Sequence, residues 1–352
     1  MELKKYKLGE VAEIRGRIGF RGYTVNDLVQ KHEGAITFSP TNISDHTINY
    51  NDCDYISFEK YEESPEIQIF NGDILFTKTG STFGKCAYIE GLKEKATINP
   101  QFVVLKNIKC NPKYLYYVIR SEWFQNNIKH IVTGSTIPTM SQENLKEIEI
   151  FLPSSKEQQK IATILSSLDR KIALNRRINS KLETIAKRLY DYWFVQFDFP
   201  DENGNPYKSS GGKMVWNDVL KREIPEGWVV KSIFDACNLL YGFPYATEPF
   251  DEENLEASQK PYKVVRIRDI QHNSYSAKTT EKANDKYRTQ KNDLLVGMDG
   301  YFHMNFWFRD DDYVNQRIVR LRKTQISTLI LYHQMKPFIK FKEEMAKGST
   351  VG

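Results

Sequence analysis

The 352-residue sequence contains no run of eighteen apolar residues, so it offers no segment that would cross a bilayer as a helix. Its opening, MELKKYKLGEVAEI, lacks the apolar core and cleavage site of a secretory leader. A cytoplasmic protein that neither crosses nor enters a membrane is expected. Cysteine is scarce: Cys53, Cys86, Cys110 and Cys237 stand far apart with no CxxC pair, which argues against a disulfide framework and a structural zinc site. The six histidines show neither HExxH nor another metal-ligand spacing, and no metal is expected. Charge of one sign is only mildly in excess. A net charge of +5 and a pI near 8.7 permit binding to a polyanion without requiring it.

Signatures of catalysis are also missing. GRIGFRG, Gly16 to Gly22, has no following GK[ST] and so is no phosphate-binding loop; its glycines shape a surface loop bearing Arg15, Arg17 and Arg21. NPQF, Asn99 to Phe102, superficially resembles the tetrad that holds the target amine in amino-methyltransferases. Gln101 stands where that tetrad has proline, and no Gly-rich cofactor loop follows a strand upstream, so NPQF reads as strand entry. No nucleophile has a plausible base in the sequence. A non-catalytic chain that binds no cofactor of its own is expected.

What the sequence does have is a long helix. Residues 156–195 run without glycine or proline and are rich in Leu, Ile, Ala, Lys and Arg. Apolar side chains recur at Ile161, Leu165, Leu168 and Ile172 in steps of four, three and four, meet Asn175, reset at Ile178 and resume through Leu182, Ile185 and Leu189. Such a helix is about 60 Å long, too long for one small core to cover, so it needs a partner along its length. Polar Asn175 in an apolar seam costs stability and fixes register, which points to a specific partner helix rather than an ordinary core helix.

The segments on either side echo each other. KLGEVAEI is matched by KSIFDACNL, GDILFTKTG by NDLLVGMDG, NPQFVVLK by NQRIVRLR, and LYYVIRSEWFQNNIKHIVTGSTIP by LYHQMKPFIKFKEEMAKGSTVG, at an offset of about 214 to 224 residues. The fold class is therefore α+β: two mixed α/β domains in pseudo-repeat joined by a long coiled-coil-type helix. The organisation reads as a first domain over 1–152, a central helix over 153–198, a Pro, Gly and Ser-rich connector over 199–226 and a second domain over 227–352. In the first domain AITFSPTNI, GDILFTKTG and ATINPQFVVLK read as strands and PKYLYYVIRSEWFQNNIKHIV as a helix after Pro112.

Matched positions differ most in the loops, Thr77 to Lys85 against Gly297 to Asn305, as expected of one scaffold presenting two reading surfaces. KTGSTFGK offers Thr77, Lys78, Thr79, Ser81, Thr82 and Lys85, hydroxyl and cationic groups suited to phosphate and base edges. Ser135 and Thr136 repeat that chemistry at the end of the domain. The second copy offers Arg266, Arg268, His303, Lys347, Ser349 and Thr350, with Arg266 and Arg268 on one face of a strand if VVRIRDI alternates. Exposed turns also favour Gly, Ser and Thr, so each loop alone is equally a solvated surface.

The block LPSSKEQQKIATILSSLDRKIALNRRINSKLETIAKRLYDYWFVQFDF, the connector PDENGNPYKSSGGKMVW, the opening IPEGWVV and the GDILFTKTG and GSTIP signatures resemble the DNA specificity subunits of type I restriction and modification systems. The resemblance covers nearly the whole chain. It implies two target recognition domains, each reading half of a bipartite double-stranded DNA target, with conserved helices as spacer and docking site. It further implies no catalysis in this chain: methyltransferase subunits bring S-adenosylmethionine, and restriction subunits bring ATP and Mg²⁺ for translocation and cleavage. A spacer helix acts as a ruler, so adding one heptad to it is expected to change the gap in the recognised sequence. The sequence ends at AKGSTVG, where this family usually continues into a second conserved helix; a sequence cut short, a naturally truncated product, or assembly with a second copy or half-subunit that supplies the helix would each account for it. The alternative reading is an assembly scaffold whose flanking domains bind protein.

Overall fold

The computed structural model describes residues 2–17, 22–44, 46–131, 138–245, 250–299 and 302–348, with the side chains of 346–348 left out. The chain divides into two compact units, 1–177 and 178–352.

In the first unit, a four-stranded antiparallel sheet runs in the order Glu13–Arg15, Phe102–Lys106, Ile74–Thr77, Cys86–Tyr88. A second sheet runs Ala96–Ile98, Ala35–Phe38, Asp54–Ile56, Leu28–Val29, with its first pair parallel. Strand alternation explains how one sheet serves two cores. Ile74 and Phe76, with Val103 and Leu105, face a core shared with Leu115, Ile119 and Phe124; Leu75, Phe102 and Val104 face the other way, onto Ile36, Phe38 and Ile98. Both faces are covered, so these strands read as unbroken apolar runs.

ATINPQFVVLK forms two strands rather than one, because Asn99 to Gln101 turn the chain from the second sheet into the first. The expected helix after Pro112 is also two, Pro112–Arg120 and Glu122–Ile131. Ser121 breaks it: its backbone is extended, and its hydroxyl donates to the Val118 carbonyl at 2.7 Å while accepting from the Phe124 amide at 3.3 Å, capping both ends.

The second unit repeats this plan. Its antiparallel sheet runs Cys237–Tyr241, Ile318–Lys323, Leu294–Gly297, Met304–Phe306, matching the first unit strand for strand. The companion sheet runs Ala277–Thr279, Tyr262–Val265, Tyr313–Val314, again with a parallel pair feeding the main sheet through the NQRI turn. The helix Thr328–Gly348 stands where the first unit has its pair, with Pro337 inside it. The pseudo-repeat is therefore one fold built twice. Arg320 and Arg322 distinguish the second copy: buried Arg320 donates to the carbonyls of Lys286 and Arg288 at 2.7 and 3.0 Å, and Arg322 makes a bidentate pair with buried Asp293 at 2.7 Å to each oxygen.

Along the chain the two copies are joined by the α-helix Ser155–Tyr190, which passes into a π-helical turn over Asp191–Val195, so the α-helix stops five residues short of the expected end. Ser154 and Glu157 form its capping box, amide to carboxylate at 3.2 Å and amide to hydroxyl at 3.4 Å. Its first turns belong to the first unit: Ala162 is buried, Gln158 accepts from the Asn111 amide at 3.0 Å, and Asp169 accepts from Tyr117 Oη at 2.8 Å and Arg120 Nη1 at 2.9 Å.

The stretch 199–226 is not a loose linker. Met214–Asn217 and Arg222–Pro225 pair as a hairpin, Asp198 accepts from the Ser209 amide and hydroxyl at 2.7 Å each, and Phe199 stacks on Tyr207 and Trp228. Gly204 and Gly211, both at positive φ, are turn residues of a packed element.

Candidate nucleic-acid interface

In the first unit the KTGSTFGK loop connects the central strand Ile74–Thr77 to the edge strand Cys86–Tyr88. The Thr77 amide donates to the Lys85 carbonyl at 2.8 Å and the Gly84 amide to the Thr77 carbonyl at 2.9 Å, closing the loop on itself. Glycine suits position 84: its φ is +82°, strained for a residue with a side chain, and a Cβ would sit 2.5 Å from Gln125 Oε1, which would have to shift. Gln125 Nε2 in turn donates to the Gly84 carbonyl at 2.9 Å, tying the loop to the helix beneath it. Two further strips of chain meet the loop. The Lys78 amide donates to the Gln101 carbonyl at 2.8 Å, the Met140 amide to the Lys78 carbonyl at 2.9 Å, and Thr79 and Thr139 share a hydroxyl hydrogen bond of 2.6 Å. A hydroxyl and amide-rich surface thus collects at one end of the sheet.

The sequence-selected residues divide by placement. Ser81 and Lys85 are exposed, Lys78, Thr79 and Thr82 are half-buried, and Thr77 is fully buried. Neither Lys78 nor Lys85 makes an ion pair among the described residues, which leaves their ammonium groups available for phosphate. Arg15 pairs with Glu13 at 2.9 Å, and Arg17 turns inward, donating to the Ile98 carbonyl at 3.1 Å with its guanidinium over the Tyr23 ring. Burial pulls the Arg17 pKa down, the direction expected of a guanidinium serving structure. Arg21, Ser135, Thr136, Ser349 and Thr350 lie outside the described residues, as does the side chain of Lys347.

In the second unit the expected strand alternation at VVRIRDI does not occur. The strand ends at Val265, and Ile267–His272 is a 3₁₀ helix started by Asp269, whose carboxylate accepts from the Arg266 amide at 2.8 Å. The two arginines nevertheless converge: Arg266 Nη1 and Arg268 Nη2 reach the two oxygens of Glu252 at 2.6 and 3.1 Å, and both guanidinium groups donate to Ser276 Oγ. Those hydrogen bonds hold the Glu252 carboxyl below the usual carboxylate range. His303 Nδ1 lies 2.9 Å from Gln271 Nε2. These groups, with Asp299, Asn315 and Arg317, line an open cleft of about 690 Å³. Gln125, Thr139, Asp299 and Arg317 were not among the sequence-selected residues; aligning the loops 77–85 and 297–305 end to end would have raised Asp299 alone.

The long helix carries the other surface. Ile161 and Leu165 are half-buried, whereas Leu168, Ile172, Ile178, Leu182, Ile185 and Leu189 are between 43% and 60% exposed. The α-helix is unbroken from 155 to 190, so Ile172, the exposed polar Asn175 and Asn179, and Ile178, Leu182, Ile185 and Leu189 all lie on one continuous helix.

No group of side chains among the described residues has metal-ligand geometry, and no helix among them is long and apolar enough to cross a membrane. Burial pushes the thiols of Cys53 and Cys110 up to about 11 and that of Cys86 up to about 12, so all three are protonated near neutrality.

Residues 1–184 match the family model described as the type I restriction modification DNA specificity domain. The chain belongs to that family. Among curated relatives it is similar to the type I restriction enzyme MjaIX specificity subunit of Methanocaldococcus jannaschii, 33% identical over 214 residues that cover 60% of this chain and 45% of that one. It is also similar to the HindI specificity subunit of Haemophilus influenzae, 26% identical over 55% of this chain and 41% of that one. The chain spans about half the length of the curated relatives it matches. Its fold resembles the crystal structure of a type I restriction-modification system S subunit from M. genitalium, with a TM-score of 0.51 at 18% identity over 99% of this chain and 80% of that chain.

Proposed function

We propose that this chain is the sequence-specific DNA-binding subunit of a type I restriction-modification complex, reading a bipartite target through its two recognition units and directing adenine methylation or cleavage by partner subunits. The observation that carries the proposal is the repeated sheet with its divergent end loops: the same strand order presents Thr79, Lys85 and Gln101 in one unit and His303 and Arg317 in the other. One scaffold with two different polar surfaces suits two different half-sites. The chain itself is non-catalytic, and S-adenosylmethionine, ATP and Mg²⁺ belong to the methyltransferase and restriction subunits. The whole assembly works in the cytoplasm, where host DNA is its substrate. The long helix acts as spacer, and its exposed apolar stripe packs against a helix from a second copy of this chain.

Duplex binding across a salt series separates this reading from a protein-binding scaffold. Affinity for DNA falls steeply as salt rises, because phosphate neutralisation releases counterions. Lys78→Ala and Lys85→Ala each reduce the slope of log affinity against log salt by about one and weaken all sequences alike. A chain with no measurable, salt-sensitive affinity for any duplex would favour the scaffold.

A further inference from the structure

The turn that joins the companion sheet to the main sheet occurs twice with the same hydrogen bonds and different side chains. In the first unit the Gln101 amide donates to Asn99 Oδ1 at 3.0 Å, and the Gln101 carbonyl accepts from the Lys78 amide at 2.8 Å. In the second the Arg317 amide donates to Asn315 Oδ1 at 3.3 Å, and the Arg317 carbonyl accepts from the Met298 amide at 3.0 Å. The two residues are thus structural equivalents, one turn before the central strands Phe102–Lys106 and Ile318–Lys323. Both side chains are exposed beside the divergent loops.

Each side chain is also held by a neighbour in a way that leaves a two-pronged face. Asn99 Nδ2 donates to Gln101 Oε1 at 3.2 Å, fixing the amide plane while its Nε2 and the second lone pair of Oε1 stay open. Asp299 accepts from Arg317 Nη1, leaving Nε and Nη2 as a parallel pair of donors at the cleft. A glutamine presenting one donor and one acceptor matches the N7 and N6 edge of adenine, and an arginine presenting two donors matches the O6 and N7 edge of guanine. We infer that Gln101 and Arg317 are the corresponding base-reading residues of the two units, Gln101 taking an adenine and Arg317 a guanine in the major groove. The inference rests on the DNA-reading proposal and adds to it the identity of one base pair in each half-site.

The test is selection from a randomised duplex pool by the full chain in complex with its modification subunits, comparing wild type with Arg317→Gln, Arg317→Lys and Gln101→Arg. Arg317→Gln removes a G·C preference at one position of one half-site, by roughly ten- to a hundredfold, and shifts it towards A·T, leaving the other half unchanged. Arg317→Lys keeps the charge, loses the fork and relaxes the same position; Gln101→Arg converts an A·T position to G·C in the opposite half. Both sites are exposed, and unchanged melting of the variants confirms that they fold. A wild-type motif that all three variants retain would overturn the base assignment alone. A wild-type complex that enriches no motif would overturn the DNA-reading proposal and the assignment with it.

Discussion

Replacing Arg322 with alanine destabilises the second unit by about 3–5 kcal/mol and lowers its melting temperature by roughly 10 °C, with the first unit unaffected. Asp293 is 1% exposed and accepts from Arg322 Nε and Nη2 at 2.7 Å each, as well as from the Gln290 amide at 2.7 Å. Removing the guanidinium leaves a buried carboxylate with one backbone donor and no direct ion-pair partner, with the charge of Arg320 offsetting only part of the loss. Arg322 Nη2 also donates to the Arg288 carbonyl at 3.0 Å, which loses that partner in the variant. The cost arises from stranding Asp293, so the double variant Arg322→Met, Asp293→Leu recovers most of it. Thermal unfolding followed by near-UV circular dichroism of the single and double variants measures both numbers; a single variant within 1 kcal/mol of wild type would show that water reaches the site and replaces the guanidinium.

The second large effect concerns the helix stripe. Leu168→Asp with Leu182→Asp converts an assembled chain to single chains, weakening association by at least about a hundredfold. Each leucine contributes about 1.5–3 kcal/mol when its side chain is buried against a partner helix, and an aspartate there would lie desolvated and unpaired. Neither residue belongs to a core of its own unit, at 50% and 57% exposure, so melting of the units stays unchanged. Light scattering at micromolar concentration reads the outcome. Wild-type chain that scatters as a stable monomer contradicts self-association through this stripe, and assembly that survives the double substitution places the interface elsewhere.

Much of this architecture was legible in the sequence, for a physical reason: long-period signals survive without knowledge of tertiary contacts. The helix could be read because forty residues without a breaker and with four-three apolar spacing have few alternatives. The repeat could be read because strand cores and turn residues recur in order, and the two sheets of identical strand order follow from that. What escaped were choices made by single hydrogen bonds. Ser121 splits a helix that its apolar spacing would continue, and Asp269 bends the chain after Val265 where alternation would extend the strand. The folded hairpin within 199–226 escaped because its Pro and Gly content resembles that of a flexible connector, while Asp198, Phe199 and Tyr207 act across many residues. At the interface, the cationic residues were picked by type. Their partners decide their availability: Arg17 points inward, Arg266 and Arg268 share Glu252, and Lys78 and Lys85 have no ion pair among the described residues. Gln101 and Arg317 stand out only when both turns are compared atom by atom.

The measurement that tests the central claim most directly is to co-express this chain with the methyltransferase subunits proposed as its partners and map adenine methylation across the host DNA. The account predicts methylated adenine in a bipartite motif with a fixed gap, absent when this chain is omitted. Methylation that does not depend on the chain, or no methylation from a complex that assembles and binds S-adenosylmethionine, would contradict it.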